Sequence, residues 1–142
     1  MSEDLVPDIA AVYLATIVTA EWHGAWRAAH AMAAVVGPMH VITAWNPGDE
    51  RPSADENDRR NALLRADLVA LGLDPHPALG SDPASTHAEA SWAVVGLTDA
   101  DACALGAKHG QIAVFRITAD TQTVLGCFAP WSVSRPVGGD GG

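Results

Sequence analysis

The chain has 142 residues, 49% hydrophobic and 18% charged, with 17 acids against 8 lysines and arginines for a formal net charge of −9. That length fits one domain with an independent core, and the hydrophobic content excludes a chain that is disordered by composition. The acidic field repels phosphate backbones and anionic lipid surfaces, which argues against nucleic acid and membrane as partners and leaves room for a basic protein.

In chain order, residues 4–14 read as a short helix leading into a strand over 15–22, where β-branched residues gather. Gly24 breaks that strand. Residues 26–36 are good helix formers stopped by Gly37-Pro38, and residues 39–45 form a mostly apolar run that predicts a buried strand. Asn46-Pro47-Gly48 predicts a turn. Ser53 and Glu56 stand three apart as a capping box, opening a helix that runs to Leu71 and stops at Gly72. On that helix Asn57, Asn61, Leu64, Leu68 and Leu71 share one stripe at helical period, predicted to face inward. Residues 74–88, with three prolines, predict a loop holding at most one short edge strand. A strand over 90–96 follows, then a second capping box at Thr98 and Asp101 and a helix ending at His109-Gly110. Residues 111–118 and 123–129 predict strands joined as a closing hairpin, and the glycine-rich tail 134–142 predicts disorder. The fold class implied is α/β (α+β): a single domain over 1–133, with a mixed sheet of about five strands and flanking helices.

Thr43-Ala-Trp-Asn-Pro47, Glu56-Asn57, Arg60-Asn61, Glu89 with Ser91, and Gly110-Gln111 followed by Ala113-Val-Phe115 together resemble the domain of unknown function 3293 family. The likeness spans roughly residues 10–118. It implies a bacterial chain and a set of marked positions, and it supplies no reaction.

The marked positions have two readings each. Asn46 ends a strand before a proline and is read either as a turn asparagine or as a ligand contact. Asn57 and Asn61 lie on an inward stripe, where an amide must find partners; they either pin the 45–52 loop or line a pocket below it. Glu56 and Arg60 are spaced as a helical ion pair, with Arg60 otherwise offering a fork to a small anion. Glu89 is a strand-start acid or, because the family position it matches is acidic, a general acid or base. Gln111 is a fixed donor and acceptor in a pocket or in the sheet. Thr43 and Trp45 complete the candidate set, Trp45 as a flat apolar wall.

Cys103 and Cys127 read as small core hydrophobes. The six histidines, His23, His30, His40, His76, His87 and His109, show no metal-ligand spacing, so neither a metal nor another cofactor is expected. The first eight residues carry three acids and no base, unlike a secretory leader, and no apolar run nears the ~20 residues of a spanning helix, so a cytoplasmic location is expected. Two functions remain open: a domain that binds or transforms a small polar molecule, with Glu89 as catalytic residue, or a non-catalytic adaptor or immunity-like module whose acidic surface meets a basic partner.

Overall fold

The computed structural model describes residues 6–47 and 51–138. The elements are α1 (Ile9–Leu14), β1 (Ile17–Trp22), β2 (Ala25–Ala28), α2 (Ala29–Val36), β3 (Met39–Ile42), α3 (Ala54–Ala70), β4 (His76–Ser81), β5 (Ala88–Val94), α4 (Asp99–Lys108), β6 (Ala113–Ile117), β7 (Thr121–Gly126) and β8 (Ser132–Pro136). The eight strands form one sheet in the order β2-β1-β4-β5-β3-β6-β7-β8. Every neighbouring pair is antiparallel.

Period-two alternation sends one residue set to each face. On one face Val18, Ala20, Val41, Ala93 and Ile117 pack against Met32 and Ala33 of α2. Further along the same face, Ala113 and Val124 meet Ala10 of α1. On the other face Ile42, Val94 and Val114 pack against Leu64 and Leu68 of α3 and Ala102 of α4. The α1 face is where β5 directs Glu89 and Ser91, which alternate in step with Ala93.

The sheet curls. The carbonyls of Leu14 and Thr16, which lead into β1, are claimed from the far side of the sheet. Gln122 Nε2 donates to Thr16 at 2.9 Å, and Arg135 Nε donates to Leu14 at 2.6 Å. These bonds hold α1 across the concave face.

The sheet has eight antiparallel strands where a mixed one of about five was expected, and three added strands, β2, β4 and β8, account for the difference. The 26–36 segment is not helical throughout: His23 and Gly24 both have positive φ (53° and 77°), the geometry of a two-residue hairpin turn. That turn folds Ala25–Ala28 back on β1 before α2 begins. Residues 74–88 hold β4, a full strand paired on both sides. The strand expected over 111–118 starts at Ala113, which leaves Gln111 outside the ladder. The expected disordered tail supplies β8 through Pro136, paired to β7, while residues 139–142 lie outside the described residues. Gly48 of the expected turn lies outside them too.

Both helix starts are capped as their spacing predicts, with Ser53 Oγ accepting from Glu56 N and Thr98 Oγ1 accepting from Asp101 N, each at 3.1 Å. The Glu56 side chain does not complete the box; Arg59 and Arg60 take it instead. Asn57, Asn61, Leu64 and Leu68 are buried as expected. Leu71 is exposed, because the chain has left the helix at that point.

Candidate functional site

β3 leaves the ladder after Ile42, and the chain runs on through residues 43–47 beneath the start of α3. Here two helical side chains take the place of a partner strand. Asn61 Oδ1 accepts the N–H of Ala44 at 3.1 Å, and Asn57 Oδ1 accepts the N–H of Asn46 at 3.0 Å. The spacing explains why asparagines stand four apart. Four helical residues rise about 6 Å, close to the roughly 6.6 Å between alternate residues of an extended chain. Asn46 itself has φ +46°, a left-handed conformation that asparagine tolerates better than most residues.

The Asn46 side chain is fixed by the same exchange. Because Asn57 Oδ1 takes a backbone N–H, Asn57 Nδ2 must be the donor, and it gives to Asn46 Oδ1 at 3.0 Å. Asn46 Nδ2 is thereby turned toward β5, where it donates to Glu89 Oε2 at 3.0 Å. The same oxygen meets His87 Nε2 at 3.1 Å. Glu89 Oε1 has no protein partner among the described residues, and the Glu89 side chain is 28% exposed.

The segment is braced from below by the start of the β6 arm. Gln111 Nε2 donates to the Trp45 carbonyl at 3.1 Å. Gly110, at φ +76°, lies so close to Pro47 that an added Cβ would sit 2.7 Å from the proline Cβ. Thr43 Oγ1 donates to Ala90 O at 2.7 Å and accepts from Trp45 N at 3.0 Å. The separated motifs at 43–47, 57–61, 89 and 110–111 thus form one hydrogen-bonded knot.

A cavity of about 630 Å³ opens beside this knot on the concave face, with Thr43, Asn46, Glu89 and Gln111 in its wall. Its opposite wall is α1, through Val12 and Tyr13, and its floor includes Val41 and Phe115. Tyr13 and Phe115 meet edge to face, ring centroids 6.3 Å apart. Burial, and then the negative charge of Glu89, raise the Tyr13 hydroxyl above its ordinary pKa. Tyr13, His87 and Arg51 also line the cavity and are absent from the residues singled out in the sequence. His87 was legible, since it lies two residues before Glu89, just ahead of β5. Tyr13 carried no local signal, because only the curl of the sheet lays α1 over the site.

The other expected site residues stand elsewhere. Asn57 and Asn61 do not line the cavity; they hold the segment that does. Trp45 contributes its backbone, and its indole N–H is buried with no partner among the described residues instead of walling the cavity. Arg60 binds Glu56 at 2.8 Å, as the ion-pair spacing implies, and does not line the cavity. Hydrogen bonds from Arg59 and then Arg60 draw the Glu56 carboxyl down to about 2. Among the described residues no group of three or more histidine, cysteine or acidic side chains is arranged to hold a metal ion, and no helix is long and apolar enough to cross a membrane.

The family described as Protein of unknown function (DUF3293) matches residues 42–114, just over half of the chain. The chain belongs to the DUF3293 family. No curated protein and no solved structure matches it. The DUF3293 match is narrower than the 10–118 expected from the motifs. It opens on the last residue of β3 and closes inside β6, so it contains the whole knot and both bracing residues, Gly110 and Gln111. The α1 wall, with Tyr13, lies outside the matched DUF3293 segment.

Proposed function

We propose that the concave cavity binds a small organic molecule and that Glu89 exchanges a proton with it. The observation that supports this reading is the state of the Glu89 carboxylate. One oxygen is immobilised by Asn46 and His87, and the other has no partner among the described residues beside a cavity of about 630 Å³. Small-molecule sites commonly have volumes of roughly 300–1,000 Å³, apolar walls and a few fixed polar groups. A carboxylate held in one orientation loses little freedom on meeting a ligand proton, which favours acid–base work over casual contact. Asn46, Gln111 and Thr43 shape the polar end, and the α1 and Phe115 surfaces receive the apolar part. The open cavity favours this reading over a closed interaction module, in which the same amides would only brace a filled core.

The test is a thermal-shift screen of the full chain against metabolites, run in parallel on Glu89→Gln. A ligand at 100 times its dissociation constant adds about 2.7 kcal/mol of stability. The expected result is a compound that stabilises the native protein and loses that effect in a folded Glu89→Gln variant. Hits that stabilise both proteins equally would place binding away from Glu89 and end this reading.

A further inference from the structure

We infer that the molecule taken by the cavity is an apolar, ring-sized body carrying an amine-type cation, in the manner of an arylalkylamine. This rests on the cavity reading above and names its ligand class. The ligand class follows from which acceptors of the cavity wall the protein leaves without a partner. Asn46 Oδ1 already accepts from Asn57, and its Nδ2 donates to Glu89. Thr43 has spent its hydroxyl proton on Ala90 and accepts from Trp45. Gln111 is 3% exposed and its Nε2 is committed to Trp45 O. Its Oε1 has no partner among the described residues and is not among the atoms sealed from solvent, so it opens on the cavity it lines. Glu89 Oε1 is the second open acceptor.

Two fixed acceptors, one of them charged, ask the ligand for N–H donors and a positive charge. The rest of the wall suits an apolar ring: Val12, Val41 and the edge-to-face pair of Tyr13 and Phe115. The net charge of −9 draws a cation toward the protein before contact. Arg51 also lines the cavity, so an anionic head is the opposing outcome that the experiment must be able to return.

Three probes share one ring and differ in the head: tryptamine, its neutral counterpart tryptophol, and indole-3-acetate. Calorimetric titration of the full chain is expected to show tryptamine binding at least tenfold more tightly than tryptophol, and indole-3-acetate most weakly. In Glu89→Gln, an isosteric change at a part-exposed side chain, tryptamine should fall to the affinity of tryptophol while tryptophol itself is unchanged. Indole-3-acetate binding as tightly as tryptamine, or a preference for tryptamine that survives Glu89→Gln, would overturn the cationic ligand class and leave the cavity reading standing on tryptophol. Binding of none of the three would overturn the arylalkylamine class, and the metabolite screen on Glu89→Gln decides the cavity reading separately.

Discussion

Asn57 and Asn46 are joined by a reciprocal pair of hydrogen bonds, each 3.0 Å long, in which one asparagine reads both the backbone and the side chain of the other. Both residues are buried. The pair sets which way the Asn46 amide points, and therefore which atom meets Glu89. A helix residue that touches no ligand thus orients the carboxylate proposed to act.

That relationship predicts a large penalty for Asn57→Ala. The change leaves the Asn46 N–H and Oδ1 buried without partners, and each such orphan costs about 1–3 kcal/mol. We expect a loss of roughly 3 kcal/mol in urea unfolding, with the midpoint lowered and the slope unchanged. Asn57→Asp keeps the acceptor for the backbone N–H but turns a carboxylate oxygen on Asn46 Oδ1 and buries a charge, so it should lose at least as much. A loss under 1 kcal/mol for Asn57→Ala would mean that the pair is not the strut described.

The contrast between two glycines separates strain from collision. Gly24 and Gly110 have nearly the same positive φ, 77° and 76°, but an added Cβ at Gly24 meets nothing within 4 Å while at Gly110 it meets Pro47. Gly24→Ala should cost only the left-handed backbone penalty, about 1–2 kcal/mol. Gly110→Ala adds displacement of Pro47 and of the whole 43–47 segment. Thermal unfolding should show Gly110→Ala as clearly the worse of the two, and equal losses would rule out the Pro47 contact as the reason for a glycine there.

The helical elements and the polar knot were legible because their signals are local. Ser53 and Thr98 announce helix starts, and the Asn57–Asn61 spacing announces an inward polar patch. Three strands were hidden because long-range pairing decides them. Pro77 argues against a central strand, yet β4 accommodates it. The β1 ladder stops at Ala78, so at Pro77 the strand is paired with β5 alone, and the missing N–H faces an open edge. Ala25–Ala28 has helix-forming composition and becomes a strand because the preceding turn delivers it to β1. β8 is short, polar and proline-ended, and only β7 makes it a strand. The cavity inherits the same limit. Its polar wall is written in the motifs, while its α1 wall depends on a curl that no window of sequence records.

On the opposite face, Asp99 at the start of α4 bonds His40 Nε2 at 2.7 Å and also pairs with Arg116. Burial works against its ionisation, but the His40 hydrogen bond and the Arg116 charge prevail and hold its pKa below the ordinary value. A depressed carboxyl pKa contributes stability that is fully present above the unfolded-state value, about 3.9, and is lost as pH falls through the folded-state value. The stability difference between the native chain and Asp99→Asn should therefore be flat above about pH 5 and shrink below about pH 4. Its plateau should stay below about 1 kcal/mol, since the Asp99 side chain is 44% exposed and solvent screens the pair. A difference that instead grows in acid would reverse the sign argued here.

Cys127 supplies a chemical readout of packing on the α3 and α4 side. Its sulfur occupies the space left by Gly106 on α4, where an added Cβ would come within 2.7 Å of both Cys127 Sγ and Val114 Cγ1. Cys103 stands one turn earlier on that helix, facing the same way. Burial first, and then Cys103, push the Cys127 thiol up to about 12. So raised a thiol holds very little thiolate at pH 8, and the thiolate is the reactive species. In Cys103→Ser, where Cys127 is the remaining cysteine and burial alone holds its thiol up, a disulfide reagent at pH 8 should react more slowly with the folded protein than with the protein in urea. Gly106→Ala probes the same contact from the other side. Helix propensity favours alanine by about 1 kcal/mol, whereas overpacking costs about 1–3 kcal/mol. The contact distance places this site toward the costly end, so a net loss is expected, together with faster labelling of Cys127 as its sulfur is pushed outward. A stabilised Gly106→Ala variant with unchanged labelling would show that the helix, and not the sulfur, sets the preference at that position.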